Sequence, residues 1–202
     1  MIILGITGPT GAGKTTVLKQ LLDLGGEILD CDALYHELTC SCHPMRRELA
    51  ERFGPDIFGA DGQLQRKVLG AIVFEDEQAL VDLNEITHRY VFRAVENAIA
   101  TAENAGKRAI AIDAIALLES GLGDLCHSKI AVTADDELRV RRIMARDGIS
   151  EEYARMRVQA QKPSRWFEER CDHTLRNDGD DPAAFGACAR ELLETLINKE
   201  VI

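Results

Sequence analysis

Apolar residues along the chain fall into short unbroken runs, and between the runs they recur every three or four positions. That alternation predicts an α/β fold built around a parallel sheet. Ile2, Ile3, Leu4 and Ile6 make the first run and read as a buried strand. From Lys14 to about Leu24 the apolar positions are Val17, Leu18, Leu21 and Leu22. That is the spacing of a helix that buries all four and stops at Gly25-Gly26. Glu27-Ile28-Leu29 follows as a second strand and ends in Asp30-Cys31-Asp32. The strand–helix–strand unit places this second strand in a parallel sheet, with its carboxyl end expected beside the first strand.

Between Ala33 and Gly106 no strand pattern appears. The periodicity is helical, with a break at Phe53-Gly54-Pro55 and a turn at Gly59-Ala60-Asp61-Gly62. Leu64, Val68, Leu69, Ile72 and Val73 repeat at helical spacing, and a long helix with a bend near His88 is expected from Glu77 to Ala105. So many helical residues between two strands read as an insertion that could close over a substrate. Strands return at Arg108–Asp113 and Lys129–Thr133, with a weak fifth at His173–Arg176. The segment from Asp135 to Arg170 is helical and rich in arginine, and a last helix from Pro182 to about Asn198 buries Phe185, Leu192, Leu193 and Leu196.

The junction of the first strand and first helix carries the chemistry. Gly8-Pro9-Thr10-Gly11-Ala12-Gly13-Lys14-Thr15 is G-x-x-x-x-G-K-[ST] with a strand before it and a helix, opening at Thr16, after it. Glycines let the backbone take positive φ and turn several N–H groups onto one concave surface, where the helix N-terminus adds about half a positive charge. Such a loop binds a nucleoside triphosphate through Gly8, Gly11, Ala12, Gly13, Lys14, Thr15 and Thr16. Lys14 reaches the β- and γ-phosphates, and the Thr15 hydroxyl binds Mg²⁺ directly.

Composition narrows the partners. A formal charge of −10 and a pI near 5.0 argue against nucleic acid, but leave room for a small anion held by local arginines. No apolar run approaches the roughly 18 residues of a membrane span, and the first strand begins at once, so neither a membrane nor a signal peptide is expected. Six cysteines without a secretory signal fit reduced thiols and a cytoplasmic location. Cys40-x-Cys42-His43 lacks the second ligand pair of a zinc site.

Phosphoryl transfer also needs a group near the acceptor hydroxyl. Ligands lie at the carboxyl edge of an open α/β sheet, so Asp32 is the candidate base, against the alternative that it caps the next helix. Asp113 ends an apolar strand and is the candidate for holding Mg²⁺ through water. Arg139, Arg142 and Arg146 share one helical face. They make either a lid over transferring phosphate or a solvated face paired with Asp135, Asp136 and Glu137. Arg142 and Arg146 are taken as the lid, and Arg139 is left open. Arg157 and Lys162 could extend the basic rim. His88, with Arg89 and Arg93 close by, and Arg66-Lys67 lie in the insertion. There an anion site and an ordinary exposed helix face compete as explanations.

With these residues in view, the chain resembles the dephospho-CoA kinases over nearly its full length. The match is carried by ITGPTGAGKTT, by Asp30-Cys31-Asp32, by FGPDIFGADGQLQRKVLGAIVF at 53 to 74, and by Leu83-Asn84-Glu85-Ile86-Thr87-His88. Arg142 with Arg146-Asp147, and Arg157-Val158-Gln159-Ala160-Gln161, complete it. The resemblance implies ATP- and Mg²⁺-dependent phosphorylation of the ribose 3′-hydroxyl of dephospho-CoA, the step that completes coenzyme A. It implies an α/β P-loop kinase with a five-stranded parallel sheet, in a core of about 1–32, 107–134 and 171–202. A helical CoA-binding insertion of about 33–106 and a short arginine-rich lid of about 135–170 complete the expected layout. Asp32 falls on the family's catalytic Asp, and Lys14 and Thr15 on its phosphate and Mg²⁺ residues. Arg142 and Arg146 fall on its lid arginines, with Arg142 counted among the catalytic groups, and Arg66, His88 and Arg157 on substrate positions. Arg89 stands where the family usually has Pro. Ile115-Ala116-Leu117-Leu118-Glu119 replaces Pro-Leu-Leu-Phe-Glu, which keeps Leu117 and Glu119 as substrate candidates.

A kinase for another small molecule, such as a nucleoside or nucleotide, would share the loop and differ in the insertion. A nucleotide switch would need Asn-Lys-x-Asp after a strand; Asn198-Lys199-Glu200-Val201 lacks the Asp and follows a helix. A monomer is the expected state.

Overall fold

A computed structural model describes residues 1–179 and 181–199. Glu200 and Val201, the end of the Asn-Lys-x-Asp approximation, lie outside the described residues. Five strands form one parallel sheet in the order β2-β3-β1-β4-β5, where β1 is Ile2–Thr7, β2 Glu27–Asp30, β3 Ala109–Asp113, β4 Ser128–Thr133 and β5 His173–Arg176. β1, β3 and β4 are apolar along nearly their whole length because helices cover both sheet faces. β2 is one of the two edge strands and only half-buried. The expectation that it lies beside β1 is corrected: β3 takes that place, with Ile6 in register with Asp113. The crossover through α1 (Lys14–Asp23) therefore skips one position.

By contacts the chain divides into two units, residues 1–29 with 99–202, and 30–98. In the first, Leu4, Ile6, Val17, Leu21, Ile130 and Val132 form one core with Leu193 and Ile197 of α9 (Pro182–Lys199). Leu22, expected inside, is 51% exposed. One turn of helix carries only about 100° of covered face, and Val17, Leu18 and Leu21 already fill it. The arginine-rich segment is three helices: α6 (Asp136–Asp147), α7 (Glu151–Gln159) and α8 (Ser164–Glu168). Val140 and Ile143 of α6 pack on Ala154 and Val158 of α7, so these two make a hairpin with a core of its own.

The second unit is helical, as its periodicity predicts. It comprises α2 (Cys31–Ser41), α3 (His43–Phe53), α4 (Arg66–Glu75) and most of α5 (Glu77–Asn104), which runs unbroken through His88. Gly54 at φ 89° ends α3, and Asp30 caps α2 by accepting from the N–H groups of Asp32 and Ala33. Met45, Leu49, Phe53, Ile57, Leu69, Val73 and Ala79 form a second core drawn from this unit alone.

Burial pushes the Cys126 thiol up to about 12, while Cys40 and Cys188 are exposed. Since the thiolate is the nucleophile, Cys126 is expected to resist alkylation at pH 8 in the folded protein while Cys188 reacts at once. Its unfolded form ionises near pH 9 and its folded form near 12, so this site costs stability as pH rises through that window. Mass spectrometry after brief iodoacetamide treatment checks it, and equal labelling of both cysteines would contradict the burial.

Candidate active site

Gly8, Gly11 and Gly13 all have positive φ, at 142°, 83° and 107°. Two of these are imposed by close approach as well as by the turn. A Cβ on Gly8 would lie 2.0 Å from the Val132 carbonyl oxygen, and one on Gly13 would lie 2.3 Å from Asn177 Nδ2. Gly13 caps α1 without a side chain, so no side-chain cap stands between the helix start and an anion. Within the loop Ala12 N–H donates to the Pro9 carbonyl at 3.3 Å and Thr16 N–H to that of Gly13 at 3.0 Å. Lys14 Nζ reaches back across the loop to the Gly8 carbonyl, 3.0 Å away. Thr15 is exposed at the start of α1.

Two amides to which the sequence assigned no role, one of them the last residue of the Arg157–Gln161 motif, hold the loop. Asn177, directly after β5, is buried; its Nδ2 donates to the Ala12 carbonyl at 2.9 Å and its Oδ1 accepts from Arg142 at 3.3 Å. A buried amide must find such partners, but a single Asn after a weak strand carries no signal of them. Gln161 accepts at Oε1 from Thr10 N–H (3.0 Å) and from Arg139 (2.9 Å), and its Nε2 donates to the Thr10 hydroxyl at 3.0 Å.

The three arginines of α6 have different fates. Arg139 is 1% exposed and donates to the Thr10 carbonyl, Asp136 and Gln161, so neither the lid nor the solvated-face reading holds for it. Arg142 lies over the loop, donating to Asn177 Oδ1 and the Gly179 carbonyl, both at 3.3 Å. With Gly13, Thr16, Leu138, Arg141 and Phe185 it lines a cavity of about 510 Å³. Arg146 pairs with Asp147 at 2.7 Å, and the same carboxylate accepts from Arg157 at 2.6 Å. Those hydrogen bonds, Arg146 first, hold the Asp147 carboxyl well below the usual carboxylate range.

Other candidates separate in the same way. Asp113 ends β3, the strand paired to the one that feeds the loop. Leu117 is fully buried against Gly5 and Cys126, which corrects its place among side chains that touch a substrate. Glu119 is exposed and borders a cavity of about 420 Å³ with Ile115, Gln161, Lys162 and Phe167.

Within the insertion Asp32 is exposed in the first turn of α2, and Asp30 does the capping. Tyr35 is three residues on, so it shares the face of Asp32. Burial raises the Tyr35 hydroxyl, and the Arg66 guanidinium nearby works against that rise. Tyr35 went unnoticed in the sequence, although its spacing from Asp32 was visible. His88 is exposed on α5. Arg89 and Tyr90 both bond Glu48 of α3, so Arg89, where the family has Pro, ties two helices of the insertion together.

A parallel sheet whose first strand feeds a glycine loop pinned to α1, with a helical insertion after its second strand, defines a P-loop kinase. The sequence profile of the dephospho-CoA kinase family matches residues 2–182. Dephospho-CoA kinase of Moorella thermoacetica is 38% identical over 89% of this chain and 85% of its own. That of Chlorobaculum tepidum is 35% identical over 88% and 87%. Among solved structures, Thermus thermophilus TT1252 superposes with a TM-score of 0.78 at 31% identity, covering 98% and 97% of the two chains. A shikimate kinase from Bacteroides thetaiotaomicron, TM-score 0.55 at 17% identity over 96% and 98%, shares the fold. The chain belongs to the dephospho-CoA kinase family.

Gly13→Ala is expected to drive the new methyl into Asn177 and to strain a backbone at φ 107°. The cost is on the order of 1–3 kcal/mol, and ATP affinity is expected to fall about tenfold or more for a similar loss of loop geometry. Titration calorimetry with ATP checks it; wild-type affinity would mean that the Asn177 contact does not shape the loop.

Proposed function

We propose that the chain transfers the γ-phosphoryl group of ATP to the ribose 3′-hydroxyl of dephospho-CoA, giving coenzyme A and ADP. The observation that carries this reading is the pinned glycine loop in a chain whose family match spans both the loop and the insertion. ATP takes the loop, with its base in the 510 Å³ cavity beside Arg142 and Phe185. Lys14, Arg142 and Arg146 face charge spread over the transferring phosphoryl oxygens, the largest contribution such a site can make. Asp32 orients the 3′-hydroxyl and takes its proton, while Arg66, His88, Arg157 and Glu119 hold the rest of the acceptor.

Thr15 and Asp113 fit Mg²⁺: an exposed hydroxyl at the helix start and a carboxylate at the end of the strand next to β1 lie on one sheet edge. Thr15 would hold the ion directly and Asp113 through water, and the bound ion neutralises the β- and γ-oxygens. The six free cysteines suit a reducing compartment, so we place the protein in the cytoplasm. No helix among the described residues is long and apolar enough to cross a membrane.

A coupled ADP-release assay with dephospho-CoA against other hydroxyl acceptors tests the substrate, and a nucleoside or shikimate turned over faster would displace it. Asp32→Asn keeps shape and removes the base. Turnover is expected to fall about 10²-fold or more with ATP affinity almost unchanged, and undiminished turnover would take Asp32 out of the reaction.

A further inference from the structure

Thr10 has three backbone and side-chain polar groups, and two side chains from distant sequence claim all of them. Its N–H goes to Gln161 Oε1 at 3.0 Å, its hydroxyl accepts from Gln161 Nε2 at 3.0 Å, and its carbonyl accepts from Arg139 Nε at 3.0 Å. Arg139 closes the set by donating to the same Gln161 oxygen at 2.9 Å. Each end of the α6–α7 hairpin supplies one of the two: Arg139 is in the first turn of α6, and Gln161 lies two residues beyond α7.

Stability alone is a poor reason for this arrangement. Removing a guanidinium from water costs more than an apolar side chain of similar volume would, so a buried arginine is weak evidence of a stabilising role. What the arrangement does supply is a fixed place for Thr10 relative to the two ends of the hairpin. Gly11, the next residue, already abuts Arg139, with a would-be Cβ 3.0 Å from the Arg139 carbonyl oxygen. A loop that binds an anion through backbone N–H groups works only if those groups are held in place before the anion arrives.

We propose that Gln161 is a positioning residue for the nucleotide: it holds Thr10, and through the shared Arg139 it ties the leading half of the phosphate loop to both ends of the α6–α7 hairpin. In this role it acts on the nucleotide through Thr10. The proposal deepens the kinase reading and rests only on its ATP-binding half, so it is tested without an acceptor.

ATP affinity of the full chain is measured by calorimetry for wild type, Gln161→Leu and Gln161→Glu, with dephospho-CoA affinity measured alongside. Gln161→Leu keeps the bulk and deletes every side-chain hydrogen bond. It is expected to weaken ATP about tenfold while dephospho-CoA affinity changes less than about twofold, since a preorganisation loss falls on the ligand whose site is disordered. Gln161→Glu keeps an oxygen for Thr10 N–H and Arg139, and the Thr10 hydroxyl can turn to donate. It is expected to hold ATP within about threefold of wild type by the same reasoning. If Gln161→Leu does not fold, Thr10→Val, which removes only the hydroxyl, is expected to weaken ATP about threefold as one neutral hydrogen bond would.

Wild-type ATP affinity in folded Gln161→Leu, or in Thr10→Val, would overturn the proposal. So would equal loss in the Leu and Glu variants, which would make Gln161 a packing residue. Failure of dephospho-CoA as an acceptor would instead overturn the functional reading and leave these ATP measurements standing.

Discussion

Backbone N–H dipoles aimed at one point repel each other until an anion arrives, and the phosphate loop has to be held in that shape by something else. Glycine permits the shape without imposing it. What imposes it is a set of contacts from residues 132–177: the Val132 carbonyl against Gly8, Arg139 and Gln161 on Thr10, and Asn177 on Ala12. The Arg139, Gln161 and Asn177 contacts use groups that would be costly to bury unpaired, so there loop and clamps satisfy one another. The nucleotide site is thus a property of the first unit's tertiary structure, and the eight-residue motif is only its inner surface.

That division explains what could be read from the sequence. The motif and the buried strands were legible because their residue types are dictated locally, by positive φ at the glycines and by helices on both sheet faces at β1, β3 and β4. Strand order was not legible, since β2 and β3 present similar short apolar runs and either could have been the one next to β1. Arg139, Arg142 and Arg146 looked alike because spacing reports which face a side chain takes, and all three take one. The partners that separate the first two (Thr10 and Gln161 for Arg139, Asn177 and Gly179 for Arg142) lie at sequence separations that spacing cannot reveal, while Arg146 pairs with its own neighbour, Asp147. Leu117 was assigned by register with a family motif, and the fold put it inside.

The insertion is governed by a different constraint. Its core from Met45 to Ala79 contains no residue of the sheet, and Glu48 adds a polar tie between α3 and α5 through Arg89 and Tyr90. The helices that present Asp32, Tyr35 and Arg66 therefore keep their mutual arrangement by themselves. Asp30 contributes by satisfying the first N–H groups of α2, which leaves the Asp32 carboxylate exposed instead of spent on a cap. Capping falls to Asp30 and the proposed chemistry to Asp32, and only the hydrogen bonds at the start of α2 tell the two acids apart.

The packing of α1 against α9 has a consequence for how the protein is made. Val17 and Leu21, at the start of the chain, are covered by Leu193 and Ile197 near its end, and β1 is flanked by strands that begin at residues 109 and 128. A ribosome adds roughly 5–20 residues per second and releases the N-terminal part first. The motif thus emerges well before the strands and the helix that flank it. Until residues 132–177 have followed it out, a nascent chain displays the glycine loop without the means to grip a triphosphate.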